Sequence, residues 1–185
     1  MKTVLIVEDE KMIRQGIKTM IMRSGVPIET IMECNNGETA LEILKEQEID
    51  VMFTDIRMPK MDGIELVQKM QSLEHIPLTV AISGYDDFAY AVEMLRNGVR
   101  EYILKPIERE KITEILKKLN AEIESRKEKE ENNQKIGYQQ MRHLMLSDEI
   151  SGEEQRTIES QYADHFYTGN YYVCCQNQVK RGELS

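Results

Sequence analysis

The feature that most constrains the fold is an alternation, repeated five times over residues 1–120, of short apolar runs with stretches of helical periodicity. The apolar runs have the length of β-strands and are Thr3–Val7, Thr30–Cys34, Asp50–Asp55, Leu78–Ser83 and Glu101–Leu104. A continuous run such as the first is typical of a strand that is buried on both faces. Between the runs, apolar residues recur every three or four positions, as they do on helices that bury one face. Strand–helix pairs in this order predict an α/β fold with a parallel sheet, right-handed crossovers and helices on both faces.

Polar residues with complementary chemistry stand at four of the predicted strand ends. Glu8 and Asp9 follow the first strand, Asp55 ends the third, Ser83 ends the fourth and Lys105 follows the fifth. The carboxyl ends of parallel strands form the ligand site in open sheets. Carboxylates that are brought together repel one another, and Mg²⁺ with its preference for oxygen ligands relieves that repulsion. An Asp can form an acyl phosphate, and hydroxyl and ammonium groups stabilise the phosphoryl oxygens. The pattern suits Mg²⁺-dependent phosphoryl transfer to a carboxylate at this edge of the sheet.

The motifs that carry these residues resemble those of a known family. They are Val4–Asp9, Thr54–Pro59, Met61–Gly63, Ser83–Gly84 and Tyr102–Pro106. From about Lys2 to Leu119 the chain resembles the receiver domain of two-component response regulators. The segment Ser83–Ala91 is similar to regulators of the AraC/YesN type, which end in a helix-turn-helix output domain. The resemblance implies a flavodoxin-like, doubly wound, five-stranded parallel sheet.

The resemblance also implies roles for individual residues at the acidic strand ends. Asp55 is then the acceptor of a phosphoryl group from a sensor histidine kinase. Glu8, Asp9 and Asp55, together with the backbone carbonyl of Arg57, are then the protein ligands of Mg²⁺. The family commonly has a cis bond at the position of Lys105–Pro106.

A phosphorylation switch is the second implication of the resemblance. Ser83 and Lys105 are expected to contact phosphoryl oxygens, and Tyr102 is expected to turn inward when Ser83 moves. Phosphorylation would then change the surface of the fourth helix, fifth strand and fifth helix, by homodimer formation or by exposing an output surface. The residues predicted to form that surface are Ala89, Tyr90, Met94 and Tyr102.

Net charge and cysteine content limit the partners and the compartment. The net charge of −9 disfavours nucleic-acid binding over most of the surface, so DNA binding is expected only through an output domain absent from this chain. No apolar run approaches the ~20 residues of a membrane span. The three cysteines, Cys34, Cys174 and Cys175, fit reduced thiols better than a disulfide framework. The sequence therefore predicts a cytoplasmic protein that does not enter a membrane.

Three parts are predicted along the chain. Residues 1–120 form the receiver domain, and residues 121–147 form a helical linker or signalling helix. Residues 148–185 have little periodicity and are expected to be a fragment of a following domain or a partly ordered tail. This division follows from the point at which the strand–helix alternation stops.

An apolar stripe in the fifth predicted helix suggests self-association. Its members are Ile112, Leu116, Leu119 and Ile123, which have the spacing of a coiled-coil seam. The stripe weakens over residues 125–134, where nearly every residue is charged or polar. Two interpretations of residues 121–147 stay open: a solvated linker, or a signalling helix that pairs with a second copy as a coiled coil.

Other functions of a strand-end Asp are less consistent with the sequence. Phosphatases of the haloacid dehalogenase type need a second Asp two residues later, and this position is Arg57. The chain is therefore predicted to catalyse at most its own phosphorylation and dephosphorylation. We also expect Arg57 and Tyr85 to restrict water and prolong the phosphoryl lifetime. A receiver-like interaction module that works without phosphorylation is the remaining alternative.

Overall fold

A computed structural model describes residues 1–84 and 88–146, with no side-chain detail for residues 88, 89, 134 and 136–146. Strands and helices alternate through these residues, as the sequence predicts. The elements are β1 (Thr3–Val7), α1 (Lys11–Met22), β2 (Thr30–Cys34), α2 (Gly37–Glu46), β3 (Val51–Asp55), α3 (Gly63–Met70), β4 (Leu78–Ser83), α4 (Phe88–Arg96), β5 (Glu101–Leu104) and α5 (Arg109–Leu146).

The strands form one five-stranded sheet in the order β2-β1-β3-β4-β5, and every neighbouring pair is parallel. This order is that of flavodoxin-like, doubly wound folds, so the predicted fold class is confirmed. β3 lies between β1 and β4, with Val7 opposite Thr54 and Asp55 opposite Ile82. The carboxyl ends of β1, β3 and β4 are therefore adjacent at one edge of the sheet.

Helices cover both faces of the sheet because successive side chains of each strand point to opposite sides. On one face, Val4 and Ile6 belong to a core that includes residues of α1 and α5. On the other face, Leu5 and Val7 belong to a core that includes residues of α2, α3 and α4. Burial of both strand faces explains why the first apolar run is continuous.

The apolar stripe of α5 packs inside the α/β domain. Its members are Ile112, Leu116, Leu119 and Ile123, and all four are buried in the core that α5 shares with α1 and the sheet. The prediction that this stripe is a coiled-coil seam is therefore wrong. Ile115 is buried as well, which makes the apolar face broader than a two-position seam. A helix that packs on a sheet produces the same spacing over three turns.

Residues 121–146 of the predicted linker fall within the bounds of α5. Whether this segment acts as a linker or pairs with a second copy stays a prediction. Residues 148–185, predicted to be a domain fragment or tail, lie outside the described residues. Within the described ranges, no helix combines the length and apolar character that a bilayer crossing requires.

Candidate functional site

Three carboxylates converge at the carboxyl edge of the sheet. Glu8 and Asp9 follow β1, and Asp55 is the last residue of β3. One carboxylate oxygen from each lies within 4.8 Å of the others. Glu8 and Asp55 are buried, whereas Asp9 is exposed. The predicted grouping is present because β1 and β3 are neighbours in the sheet.

The side chain of Lys105 reaches into this acidic cluster from the end of β5. Its Nζ atom lies 2.8 Å from Oδ2 of Asp55 and 2.9 Å from Oε2 of Glu8. The amide of Lys105 donates to the carbonyl of Ser83 at 2.7 Å, which fixes the start of this segment against β4. The Lys105–Pro106 peptide bond is cis, as the resemblance implies. One ammonium group therefore bridges two buried carboxylates.

The electrostatics of the cluster favour an additional positive charge. The pKa of Glu8 is raised to about 7, mainly by burial and also by repulsion from Asp55, while the hydrogen bond from Lys105 acts in the opposite direction. Burial alone would lower the pKa of Lys105, but its bonds to Asp55 and Glu8 outweigh burial and the pKa is raised. Lys105 thus stays charged at neutral pH and only partly compensates the carboxylates. Such a set of hard oxygen ligands suits Mg²⁺.

Backbone amides orient the carboxylate of Asp55. Its Oδ1 atom accepts hydrogen bonds from the amides of Ile56 at 2.6 Å and Arg57 at 3.4 Å, which leaves Oδ2 facing Lys105. The following loop returns so closely that a Cβ atom at Gly63 would lie 2.2 Å from the carbonyl oxygen of Asp55. Gly63 also donates its amide to the carbonyl of Ile56 at 2.8 Å. Position 63 therefore requires glycine.

Ser83 and Tyr102 lie on the next two strands of the sheet. Ser83 is buried at the end of β4, one residue beyond Ile82, which pairs with Asp55. Tyr102 of β5 pairs with Ala81 of β4 and is partly buried against the core on the face covered by α2, α3 and α4. The structure therefore places Ser83 at the same edge as the acids and Tyr102 further down the adjoining strand. Their part in a switch stays a prediction.

The predicted output surface needs one correction. Met94 lies in α4 and its side chain is fully buried, so it does not belong to an exposed surface. The next residue, Leu95, is 54% exposed, and Leu104 of β5 is 44% exposed. Tyr90 is partly buried, whereas the side chain of Ala89 lies outside the described residues. The rotation of α4, which the apolar pattern alone did not reveal, decides which of its residues face outward.

The contacts of two arginine side chains, Arg57 and Arg14, were not predicted from the sequence. The guanidinium of Arg57 lies over the ring of Tyr90, 5.5 Å from its centroid, and so connects the loop after β3 with α4. Arg14 donates to the carbonyl of Glu8 at 2.5 Å and to that of Asp9 at 3.4 Å. A cation in the first turn of a helix opposes the helix dipole, but Lys11 shares this placement, so the sequence did not single out Arg14.

Comparison with protein families identifies the domain. The family described as the response regulator receiver domain matches residues 4–117, which is more than half of the chain. The chain belongs to this family. Receiver domains are signalling domains that bind Mg²⁺ through acidic residues and interact with histidine kinases, and Glu8, Asp9 and Asp55 form an acidic cluster of the required kind.

Individual relatives support the same conclusion for this receiver domain. A response regulatory protein of Vibrio cholerae, VC_A0850, is 31% identical over 121 residues, which cover 65% of this chain and 46% of that protein. The transcriptional regulatory protein YesN of Bacillus subtilis is 31% identical over 123 residues, or 66% of this chain and 33% of YesN. The predicted similarity to YesN-type regulators is thereby confirmed. The chain spans less than half the length of both curated relatives.

A solved structure shows the same fold at a similar level of identity. The response regulatory domain of mrkE from Klebsiella pneumoniae superposes with a TM-score of 0.62 and 31% identity. The match covers 66% of this chain and 98% of that domain. The receiver fold of the described residues therefore agrees with an independent structure.

Proposed function

We propose that this receiver domain accepts a phosphoryl group on Asp55 from a sensor histidine kinase, in a step that depends on Mg²⁺. The observation that carries this proposal is the convergence of Glu8, Asp9 and Asp55 on one point, with Lys105 bridging two of them. We assign the exchange to the cytoplasm, where a thiol such as that of Cys34 stays reduced.

The residues that would hold Mg²⁺ are Glu8, Asp9 and Asp55, with the backbone carbonyl of Arg57. The donor set fits the ion because three carboxylates supply oxygen ligands. Two of these carboxylates already bind a cation, the Lys105 ammonium. When bound, Mg²⁺ would neutralise negative charge on the oxygens of the transferred phosphoryl group. The removal of Mg²⁺ is accordingly expected to abolish the transfer.

Asp55 is the nucleophile of the proposed reaction. A carboxylate oxygen attacks the phosphorus of a phosphohistidine, the new O–P bond forms as the N–P bond breaks, and the imidazole of the kinase is the leaving group. Oδ2 suits this role because it faces Lys105, whereas Oδ1 is held by backbone amides. Lys105 and Ser83 would then contact oxygens of the phosphoryl group. Hydrolysis of the acyl phosphate restores Asp55, and we expect no other reaction.

The switch would follow from the charge that phosphorylation adds. A phosphoryl group brings about −1.5 to −2 charges and new acceptor oxygens, which attract Ser83 and Lys105. Inward rotation of Tyr102 would transmit this change to the surface of α4, β5 and α5, where Leu95 and Leu104 are exposed. A coupling of about 1–3 kcal/mol would shift the populations by about 5–150-fold.

Transcription is the proposed output because relatives such as YesN are named transcriptional regulators. DNA binding would belong to an output domain of the full-length protein, and phosphorylation would promote homodimerisation through the α4–β5–α5 surface. Sedimentation and amide exchange of residues 88–105, measured before and after phosphorylation, test this part. An unchanged sedimentation profile together with unchanged exchange would contradict the proposed switch.

Intact mass after incubation with acetyl phosphate and Mg²⁺ tests the proposed transfer. We expect one added phosphoryl group on the wild type and none on Asp55→Asn or on the wild type in excess chelator. An unmodified wild type would favour strict dependence on a kinase or the alternative of a phosphorylation-independent interaction module. A phosphorylated kinase as donor separates these two outcomes, because the interaction module would stay unmodified.

A further inference from the structure

Arg14 holds the main chain that carries two of the acidic residues. Its Nη1 atom lies 2.5 Å from the carbonyl oxygen of Glu8 and 3.4 Å from that of Asp9. The register of β1 with both neighbouring strands ends at Val7, so these carbonyls lie just beyond the ladder of the sheet. Carbonyls beyond the ladder need other hydrogen-bond donors, and both of these accept from the same nitrogen, Nη1, which carries two hydrogens. Arg14 is therefore a main-chain anchor for Glu8 and Asp9.

Glu33 of β2 orients Arg14 from the other side. Its Oε2 atom lies 3.6 Å from Nε of Arg14, and the side chains of Arg14 and Glu33 are only 15% and 19% exposed. Glu33 also accepts hydrogen bonds from Gln15 at 2.6 Å and from Lys18 at 2.6 Å. The guanidinium is consequently held between a carboxylate on β2 and the two carbonyls that follow β1.

Charge gives one reason for an arginine at this position, which is the ion pair with Glu33. Arg14 lies in the first turn of α1, where a positive charge opposes the helix dipole, and the turn contains no acidic residue. A positive charge beside a site for Mg²⁺ also repels the ion. The contacts with the two carbonyls indicate a further benefit that is geometric, in the direction that Arg14 imposes on the main chain of Glu8 and Asp9.

We infer that Arg14 is a positioning residue of the Mg²⁺ site, which keeps the carboxylates of Glu8 and Asp9 directed toward Asp55, and that Glu33 orients Arg14. This inference rests on the proposed function, because it presupposes that the acidic cluster binds Mg²⁺. It also goes beyond the ligand set, because Arg14 touches the ligands' main chain and not the ion.

Calorimetric titration with Mg²⁺ tests the inference without any phosphoryl donor. Arg14→Ala is expected to weaken Mg²⁺ binding about tenfold, at the lower end of what the loss of an outer-shell partner costs. The matched control is Lys18→Ala. This substitution also removes one positive charge and one partner of Glu33, but Lys18 is not one of the side chains that bind the main chain of Glu8 and Asp9. The control is expected to stay within about twofold of the wild type, in line with a partly exposed ion pair. Arg14→Lys keeps the charge without the fork and is expected to restore the affinity only in part.

The sign of the change separates geometry from electrostatics. If charge dominated, Arg14→Ala would bind Mg²⁺ as well as the wild type or more tightly, and that result would overturn the inference. Equal weakening in Lys18→Ala would overturn it as well. Failure of the wild type to bind Mg²⁺ would overturn the proposed metal site and this inference together, whereas equal binding by wild type and Arg14→Ala would overturn only the inference.

Urea unfolding in the presence of a chelator separates positioning from folding. Arg14→Ala is expected to stay folded in urea-free buffer, so its loss of Mg²⁺ affinity is measured on folded protein. If Arg14→Ala does not fold, Glu33→Gln provides the test because it leaves the arginine in place and removes only the charge that orients it. Glu33→Gln is then expected to weaken Mg²⁺ binding about threefold or more, and unchanged affinity would overturn the inference.

Discussion

Nζ of Lys105 lies 2.8 Å from Oδ2 of Asp55, although the two residues are 50 positions apart in the chain. The contact exists because β3, β4 and β5 are successive strands of the parallel sheet, so that residues at their carboxyl ends become neighbours. The same ammonium group lies 2.9 Å from Glu8. Lys105 therefore occupies the carboxylate oxygens that Mg²⁺ would use, and the two cations are expected to compete.

Replacement of Lys105 by Met tests this competition. Lys105→Met is expected to bind Mg²⁺ about tenfold more tightly. Unit charges that are about 4 Å apart already interact by about 1 kcal/mol in bulk water and by about 4 kcal/mol near a protein surface, and Lys105 lies closer than that to both carboxylates. The control is Lys118→Met, which removes a lysine that pairs with Glu101 away from the cluster. Calorimetric titration gives both affinities, and equal or weaker binding by Lys105→Met would contradict the proposed competition.

Gly63 should be the least replaceable glycine near the acceptor. Gly63→Ala is expected to lower the free energy of unfolding by about 1–3 kcal/mol, because the new methyl group would press against the backbone of Asp55. Gly16→Ala is the matched control: it lies inside α1 with no atom within 4 Å of the new methyl group, so we expect a gain of about 0.5–1 kcal/mol. Urea unfolding curves provide both values. Equal stability of Gly63→Ala and the wild type would contradict the close approach.

The contact of Arg57 with the ring of Tyr90 predicts that the lifetime of the phosphoryl group on Asp55 depends on this ring. Arg57→Ala and Tyr90→Leu are each expected to shorten the half-life of the acyl phosphate about two- to fivefold, the size of an exposed cation–π contact, because water reaches the site more readily. Tyr90→Phe keeps the ring face and should leave the half-life unchanged. The half-life is measured after removal of the donor. Additive effects of Arg57→Ala and Tyr90→Leu would show that the two side chains do not act together.

Buried Cys34 predicts a loss of stability at alkaline pH. Burial raises the pKa of its thiol from the ordinary 9.0 to about 11. Below pH 9 both the folded and the unfolded chain keep the proton, whereas between pH 9 and 11 only the unfolded chain releases it. Stability should therefore fall through this range, by up to about 3 kcal/mol. Cys34→Ser has no titrating group there, so its unfolding free energy should fall less steeply, and parallel curves would contradict the prediction.

The acidic cluster could be predicted from the sequence because it depends on topology alone. Glu8, Asp55, Ser83 and Lys105 each stand at or just beyond the end of an apolar run, and parallel strands bring such ends to one edge. No knowledge of side-chain packing is needed for this conclusion. The contacts of Arg14 differ in this respect, because they depend on how α1 is rotated against β1 and β2.

Apolar spacing alone did not show which surface a helix residue contacts. Ile112 and Ile123 of α5 have the spacing of a coiled-coil seam, yet both are buried in the core. Repeats of 3.5 and 3.6 residues drift apart by only about 20° per heptad, so a stripe of this length fits either period. Met94 and Leu95 show the same limit on α4, since the sequence did not indicate which of the two is buried.

Chemical trapping of the phosphoryl group tests the central claim most directly. Borohydride reduces an acyl phosphate to an alcohol, so that a phosphorylated Asp becomes homoserine, which peptide mass mapping locates. After incubation with a phosphorylated histidine kinase and Mg²⁺, we expect homoserine at position 55, and none in a sample with excess chelator. Trapping at another carboxylate such as Asp9 would contradict the assignment of Asp55 as the acceptor. The absence of any trapped product would contradict it as well, provided that the same kinase preparation phosphorylates a known receiver domain in parallel.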